Sequence, residues 1–377
     1  MRPMVAGWET IIISPNKILL LSGTYCDMMS AIDYATKSCW TWGYGGYGQI
    51  GDNTVTSKSS PVSVLGGYSF IKIAATEMAC TALRTDGTAW SWGTGANGEI
   101  GDNTVTPKSS PVSVVGGHSF VYLKGGQRNM LALKSDGSLW GWGKNNYGQL
   151  GTGNIIDRSS PVSAVGGHSF IKLASGAAFS LGLKANGQLW SWGANAYGQL
   201  GTNNLTNRSS PVSVVGGHSF IDIAAGGEYA VALRGDGTVW CFGANTDGQL
   251  GNNSTTPRSS PTSVVGGHSF IAVGAMTTAT EARGASMALK ADGSIWCWGR
   301  GTSMQLGDGT ADSKSSPVSV IGGHSFIEMM GINQCGQALK ADGSIWGWGN
   351  GNYGQHGDNT VTNRSSPVSC VKLFTMS

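Results

Sequence analysis

Apolar residues in this chain come in short alternating runs, each stopped by Gly, Asn or Asp. Residues 166–215 serve as a guide. Gly166-Gly167-His168-Ser169 reads as a turn, and Phe170-Ile171-Lys172-Leu173 continues as a first strand. Residues 180–184 give a second strand, Asn186-Gly187 a two-residue turn, and 189–193 a third strand. A loop closing with Gly198-Gln199-Leu200-Gly201 leads to a fourth strand over 209–215. Other copies of the turn are Asp86-Gly87, Asp136-Gly137, Asp236-Gly237, Asp292-Gly293 and Asp342-Gly343. Asp-Gly or Asn-Gly between apolar runs predicts a type I′ hairpin, which needs φ > 0 at both central residues. Pro at the start of the fourth strand suits an outer edge, where its missing N–H costs little.

The unit repeats. A Trp-x-aromatic-Gly signature begins at Trp40, Trp90, Trp140, Trp190, Trp240, Trp296 and Trp346, and holds 13 of the 14 Trp; Trp8 lies outside it and Phe242 replaces one member. The spacing is 50 residues except for one step of 56, which places six extra residues within 275–286. Four strands in each of seven repeats predict an all-β chain, a single seven-bladed β-propeller domain over residues 1–377. Two Trp two residues apart share one strand face, and the residue between them is always small. Packing between blades accounts for them; stacking on sugars or bases is the alternative role. The chain ends on a fourth strand at 365–371, while Lys17 to Gly23 resembles a first strand. This predicts that the two termini complete one blade together and leave no open edge.

Composition narrows the class. Gly numbers 60, without a Gly-X-Y period and with only 11 Pro, which excludes collagen. So much Gly disfavours helices, and 14 Trp with 12% charged residues argue against disorder. The net charge is +3, with no basic cluster, so no nucleic-acid partner is expected. Apolar runs at 11–13 and 18–21 are too short to span a bilayer, and no secretory h-region is evident. The seven Cys form no CxxC pair and read as buried or incidental thiols. No metal or cofactor is expected.

Leu-Lys-x-Asp-Gly-x-x-Trp-x-Trp-Gly followed by Tyr-Gly-Gln-Leu-Gly, as at 147–151 and 197–201, resembles the regulator of chromosome condensation repeat. The resemblance runs from about Ile18 to Val371 and implies the seven-bladed propeller. The family includes the nuclear exchange factor for the small GTPase Ran, secreted propellers that inhibit β-lactamases, and many bacterial and phage proteins. Members often carry Gly-x-x-His after the first strand; here Phe179 follows Gly176 and Tyr229 follows Gly226. No inserted β-wedge or basic tail is present. Residues 109–120 and 209–220 are identical, a mark of recent duplication that resembles the bacterial and phage members.

Comparison between repeats separates scaffold from variation. A basic residue precedes Ser-Ser-Pro in every copy (Lys58, Lys108, Arg158, Arg208, Arg258, Lys314 and Arg364), with Asp52, Asp102, Asp308 and Asp358 nearby. A local structural contact or a solvated face explains this better than a polyanion site. His118, His168, His218, His268 and His324, one per repeat, suit a turn or packing role, since metal ligands must converge. The variable segments are the binding candidates. After the first strand they supply Glu77, Met78, Arg128, Asn129, Phe179, Glu228, Tyr229, Thr277, Thr278, Glu281, Arg283, Asn333 and Gln334. A second loop set supplies Tyr47, Tyr147, Tyr197 and Tyr353. Variation on a rigid rim is the usual means of recognition.

No nucleophile elbow, P-loop, HExxH or carboxylate pair beside a His occurs, so no enzyme is expected. The expectation is a non-enzymatic binding or structural propeller whose rim loops contact a protein or a cell-surface glycan. A phage virion decoration or host-attachment role, alongside other virion proteins at the virion or cell surface, is a special case. The alternatives are a guanine-nucleotide exchange factor for a small GTPase and a secreted enzyme inhibitor.

Overall fold

The computed structural model describes residues 18–21, 28–33, 36–277, 283–352, 355–356, 358 and 360–370. All regular structure among them is β-strand, in seven four-stranded antiparallel sheets, and no helix is long and apolar enough to cross a membrane. Each sheet is a meander of consecutive strands, and the sheets are the blades of a seven-bladed β-propeller. Blades 1 to 7 span residues 18–63, 70–113, 122–163, 172–213, 220–263, 272–319 and 328–369. Inner strands of successive blades touch around the axis. In blade 4 the strands, from inner to outer, are Lys172–Ser175, Phe179–Leu183, Leu189–Gly193 and Arg208–Ser213.

Two expectations are corrected. The termini do not share a blade: Ile18–Leu21 pairs with Met28–Asp33 inside blade 1, and blade 7 is complete within 328–369. The seam closes by packing instead. Leu339 and Ile345 of blade 7 join Met28, Ala31 and Ile32 of blade 1 in one core, and Ile332 and Cys335 pack near Trp42. Flat apolar blade faces close the ring by burial, which needs no strand exchange. The Asp-Gly turns are also not type I′. Gly87 has φ +80° but Asp86 does not have positive φ. The Gly87 N–H bonds Arg84 O at 3.0 Å, and Arg84 N–H bonds Thr88 O at 3.0 Å. This is a three-residue connection ending in a left-handed Gly. Asp86 Oδ1 accepts the Thr88 N–H at 2.9 Å and its hydroxyl at 2.6 Å, which holds Asp in an ordinary conformation.

Repeated contacts between neighbours absorb the repeated motifs. The second Trp of a signature donates its indole N–H to the preceding blade: Trp92 to Gln49 O at 2.9 Å, Trp142 to Glu99 O at 3.0 Å, Trp192 to Gln149 O at 2.8 Å. Trp298 and Trp348 do the same to Gln249 O and Gln305 O, both at 3.0 Å. Nearer the outside, Asn103 and Asn203 N–H reach Ser159 O and Ser259 O of the next blade's Ser-Ser-Pro, each at 2.7 Å. On the Asp-Gly side, Phe120 and Phe170 N–H bond Gly87 O and Gly137 O of the blade before, at 2.8 and 2.9 Å. The Ser169 hydroxyl adds a bond to Asp136 O at 2.8 Å.

The repeated His sit beside these junctions. His118, His168 and His324 lie 4.2 Å from Trp140, Trp190 and Trp346, and His218 and His268 lie 4.1 Å from Trp240 and Trp296. Lys134, Lys184, Lys290 and Lys340 stand over the same Trp rings at 4.0–4.3 Å. The Lys184 and Lys340 ammonium groups reach His168 and His324 Nδ1 at 3.4 and 3.1 Å. Burial first, and the neighbouring Lys or Arg second, push all five His below the usual imidazole value. Tyr68 fills this place against Trp90 in blade 2.

Trp142→Phe should cost about 1–3 kcal/mol in denaturant unfolding, because Phe fits the same place in blade 5 yet offers no donor for the buried Glu99 carbonyl. Histidine adds a pH dependence. A base depressed on folding takes protons more readily in the unfolded chain, so the His contribution is complete above pH 6.5 and declines as pH falls below it. Melting temperature should therefore drop from pH 7.5 to 5.5. Replacing the five His by Tyr should flatten that slope.

Candidate functional site

In a meander the inner-to-second and third-to-outer connections emerge on one face of the ring, and the second-to-third turns on the other. The first is termed the loop face and the second the turn face. A bond from Ser303 Oγ to Gln334 Oε1 at 2.8 Å joins the two kinds of loop across the blade 6–7 junction. The inner loops also bind one another through backbone: Glu77 N to Gln127 O at 2.8 Å, Ala177 N to Gly227 O at 2.9 Å, and Gln334 N to Thr277 O at 2.9 Å. Lys144 and Ala244 N–H cap Arg128 O and Glu228 O, each at 2.8 Å. The loop face is therefore a braced surface, and the two predicted loop sets lie on it together.

The predicted residues divide sharply. Arg128 Nε meets Glu77 Oε2 at 3.3 Å across the blade 2–3 junction, with both side chains about one-third exposed. Met78, Glu228, Asn333 and Gln334 are partly exposed and Arg283 is exposed. Asn129, Phe179, Tyr229 and Thr277 are buried and leave the candidate surface. Asn129, Phe179 and Tyr229 start second strands, and the first residue after the loop turns into the junction between blades. The Tyr229 hydroxyl donates to Ala285 O at 2.7 Å and reaches Met276 O at 3.1 Å, and burial pushes its pKa up. Thr278, Glu281 and Tyr353 lie outside the described residues, as do Trp8 and Cys26.

Alongside Tyr44, which packs edge-on against Tyr47, the rings of Tyr47, Tyr147 and Tyr197 are exposed on this face, at 40%, 43% and 36%. Each is held by its own backbone. The Tyr47, Tyr147 and Tyr197 N–H groups donate to Oε1 of Gln49, Gln149 and Gln199, at 2.9, 3.0 and 2.9 Å. Those Gln side chains are buried, so the Gly-Gln-Leu-Gly motif presents the ring that precedes it at little ordering cost.

The basic residues before Ser-Ser-Pro are largely local partners. Lys58, Lys108 and Arg364 meet Asp52, Asp102 and Asp358 at 3.0, 3.4 and 2.6 Å, and Lys314 meets Asp312, not Asp308, at 3.6 Å. Burial opposes ionisation of Asp52 and Asp358, but bonds from Thr54 and Lys58, and from Thr360 and Arg364, hold both below the usual carboxylate value. Five of the six described Cys are buried, and burial pushes Cys39 up to about 12. Among the described residues no three His, Cys, Asp or Glu converge as metal ligands would.

The inner wall carries contacts that alternation did not reveal. At one register position the inner strands hold Lys72, Tyr122, Lys172, Asp222, Ala272 and Glu328. Lys172 and Asp222 form a buried ion pair between blades 4 and 5. The Lys72 ammonium lies 3.8 Å from the Tyr122 ring centre, and Tyr122 donates to Leu173 O at 3.2 Å. Burial pushes Glu328 up to about 7. The available signal was a charged residue recurring at one position of otherwise apolar strands.

These placements separate display from support. Tyr147→Ala and Tyr197→Ala should change unfolding free energy by no more than about 0.5 kcal/mol. Phe179→Ala, from an equally variable segment, should cost about 3–5 kcal/mol. Parallel denaturant titrations of the three variants measure the contrast.

The comparisons agree with this architecture. Residues 25–280 match the RCC1-like domain, and residues 292–331 match the regulator of chromosome condensation (RCC1) repeat. No curated protein matches the chain by sequence. Among solved structures it is similar to Prp20p from Saccharomyces cerevisiae, with TM-score 0.77 and 21% identity over 88% of this chain and 85% of that one. That structure is reported together with binding to Gsp1p and histones. Human WBSCR16 is similar at TM-score 0.77 and 19% identity, covering 89% of this chain and 94% of that one. Yeast RCC1 (Prp20) bound to Kap60 gives TM-score 0.77 and 18% identity, covering 99% and 89%. With a domain match over more than half its length and seven such blades, the chain belongs to the RCC1-like domain family.

Proposed function

We propose that this chain is a non-enzymatic recognition propeller that holds a protein partner against its loop face. One observation carries the proposal. The Trp and His side chains that recur between blades are used in junctions, whereas Glu77, Met78, Arg128, Glu228 and Arg283 differ from blade to blade and share one braced face with the exposed Tyr. Rigid, half-exposed aromatic rings are good anchors for a partner because few rotamers are lost on binding. Relatives of this shape bind proteins: Prp20p is reported with Gsp1p and histones, and yeast RCC1 with Kap60. The near-identity of repeats supports the phage-type special case, a virion decoration or host-attachment protein, in which a surface glycan is the alternative ligand of the Tyr.

A second hypothesis, nucleotide exchange on a small GTPase, is favoured by the likeness to Prp20p. Two measurements discriminate. Partner capture by the immobilised chain, with bound proteins identified by mass spectrometry, should be lost in the combined Tyr47→Ala, Tyr147→Ala and Tyr197→Ala variant. Nucleotide release from a panel of small GTPases should proceed at its intrinsic rate. Capture unchanged by the triple variant refutes the loop face as the site, and accelerated release establishes the exchange activity in its place.

A further inference from the structure

The turn face carries a feature that neither the junctions nor the loop face uses. Where the inner strands of blades 2 to 7 begin, two residues oppose one on the second strand. Ile171 N–H bonds Leu183 O at 2.8 Å while Lys172 pairs with the same Leu183. Val121, Ile271 and Ile327 repeat this against Leu133, Leu289 and Leu339, each at 2.8 Å. The register shifts at Ile71 and Ile221 in the same way. Such a bulge re-aims the extra side chain. Here the re-aimed residue is apolar every time and open to solvent: Ile71 41%, Val121 57%, Ile171 42%, Ile221 51%, Ile271 50% and Ile327 46%.

Inner strands touch in succession from blade 1 to blade 7, so these six side chains are arranged around the axis from blade 2 to blade 7. A fold that needed only the bulge would be served by a polar residue turned to water. Six half-exposed β-branched side chains together approach the largest apolar patch of an ordinary monomer, roughly 300–600 Å².

The charge around the ring selects its partner. The second-to-third turns place Arg84, Lys134, Arg234, Lys290 and Lys340 each two residues before an Asp: Asp86, Asp136, Asp236, Asp292 and Asp342. Arg84 and Arg234 meet their own Asp at 3.5 and 3.2 Å, and the Lys stand over Trp rings. The turns of blades 2, 3, 5, 6 and 7 thus each carry one cation and one anion, and the turn of blade 4 carries Lys184 with neutral Asn186. A strongly charged partner gains nothing there. A surface with the same period, the same apolar ring and the same alternation is matched on every count, and a two-fold axis brings such a surface face to face with itself.

We propose that the turn face is a self-association surface, on which a second copy of this chain docks head to head. The two apolar rings stack around a common axis, and the two loop faces point outward at opposite ends.

Sedimentation equilibrium and light scattering at tens of micromolar should give the mass of two chains for the wild type. The Ile171→Asp, Ile221→Asp, Ile271→Asp variant should give the mass of one, with an unchanged far-UV circular dichroism spectrum and a cooperative melt showing that the blades remain folded. The Tyr147→Ala, Tyr197→Ala variant should stay dimeric, whether or not it still binds a partner. A dimer that survives the Asp substitutions overturns the proposal. So does a wild-type monomer, including one that dimerises only after removal of residues 1–16, since that segment would then be the occupant of the ring.

Discussion

The hydrogen bond from the second signature Trp to the carbonyl of the preceding blade's Gln or Glu is the constraint on which the ring depends. Each bond is worth only about 1 kcal/mol net, but an unmet buried carbonyl would cost more than that. It fixes several things at once. The indole must lie flat between two sheets, which requires a small residue beside it on the strand. The Gln backbone must enter the junction, which requires the glycines flanking it. Gly51 and Gly251 show the fit, since a Cβ at either would meet the indole nitrogen of Trp92 or Trp298 at 2.7 Å. Phe242 keeps the shape of the junction in blade 5 but brings no donor.

Stacking flat sheets through such junctions leaves two faces with different freedom. The loop face is braced by backbone bonds between loops, so its side chains can vary without loosening the ring. The turn face is committed to His, Lys, Asp and Gly–Phe contacts that recur in nearly every blade. The bulged Ile or Val takes no part in these contacts and is nevertheless apolar in all six described copies. Variation on one face and repetition on the other fit a molecule that meets something unlike itself on the first and something like itself on the second.

Much of this was legible in the residues. The Trp signature, the Asp-Gly turns and Ser-Ser-Pro predict four strands, seven blades and an outer-edge Pro, and the structure has them. The structural role expected for the repeated His is met by their contact with Trp. Site residues were less legible. Phe179 and Tyr229 vary between repeats as strongly as Glu77 or Arg128, yet they are buried, because variability marks a loop while burial depends on which way the first strand residue turns. The shared blade expected of the termini failed for a related reason: similarity of Lys17–Gly23 to a first strand says what the segment forms, not which sheet it joins.

By itself, then, the sequence determined the repeat, the strand period and the places where the chain must turn, since these follow from local preference and from alternation along a strand. Only the tertiary structure decided what lies between blades. The pairing of Lys172 with Asp222, the seam packed by Leu339 and Ile345, and the exposure of Ile171 beside buried Phe170 all depend on neighbours about fifty or more residues away, or on a one-residue bulge. A period of two cannot encode either.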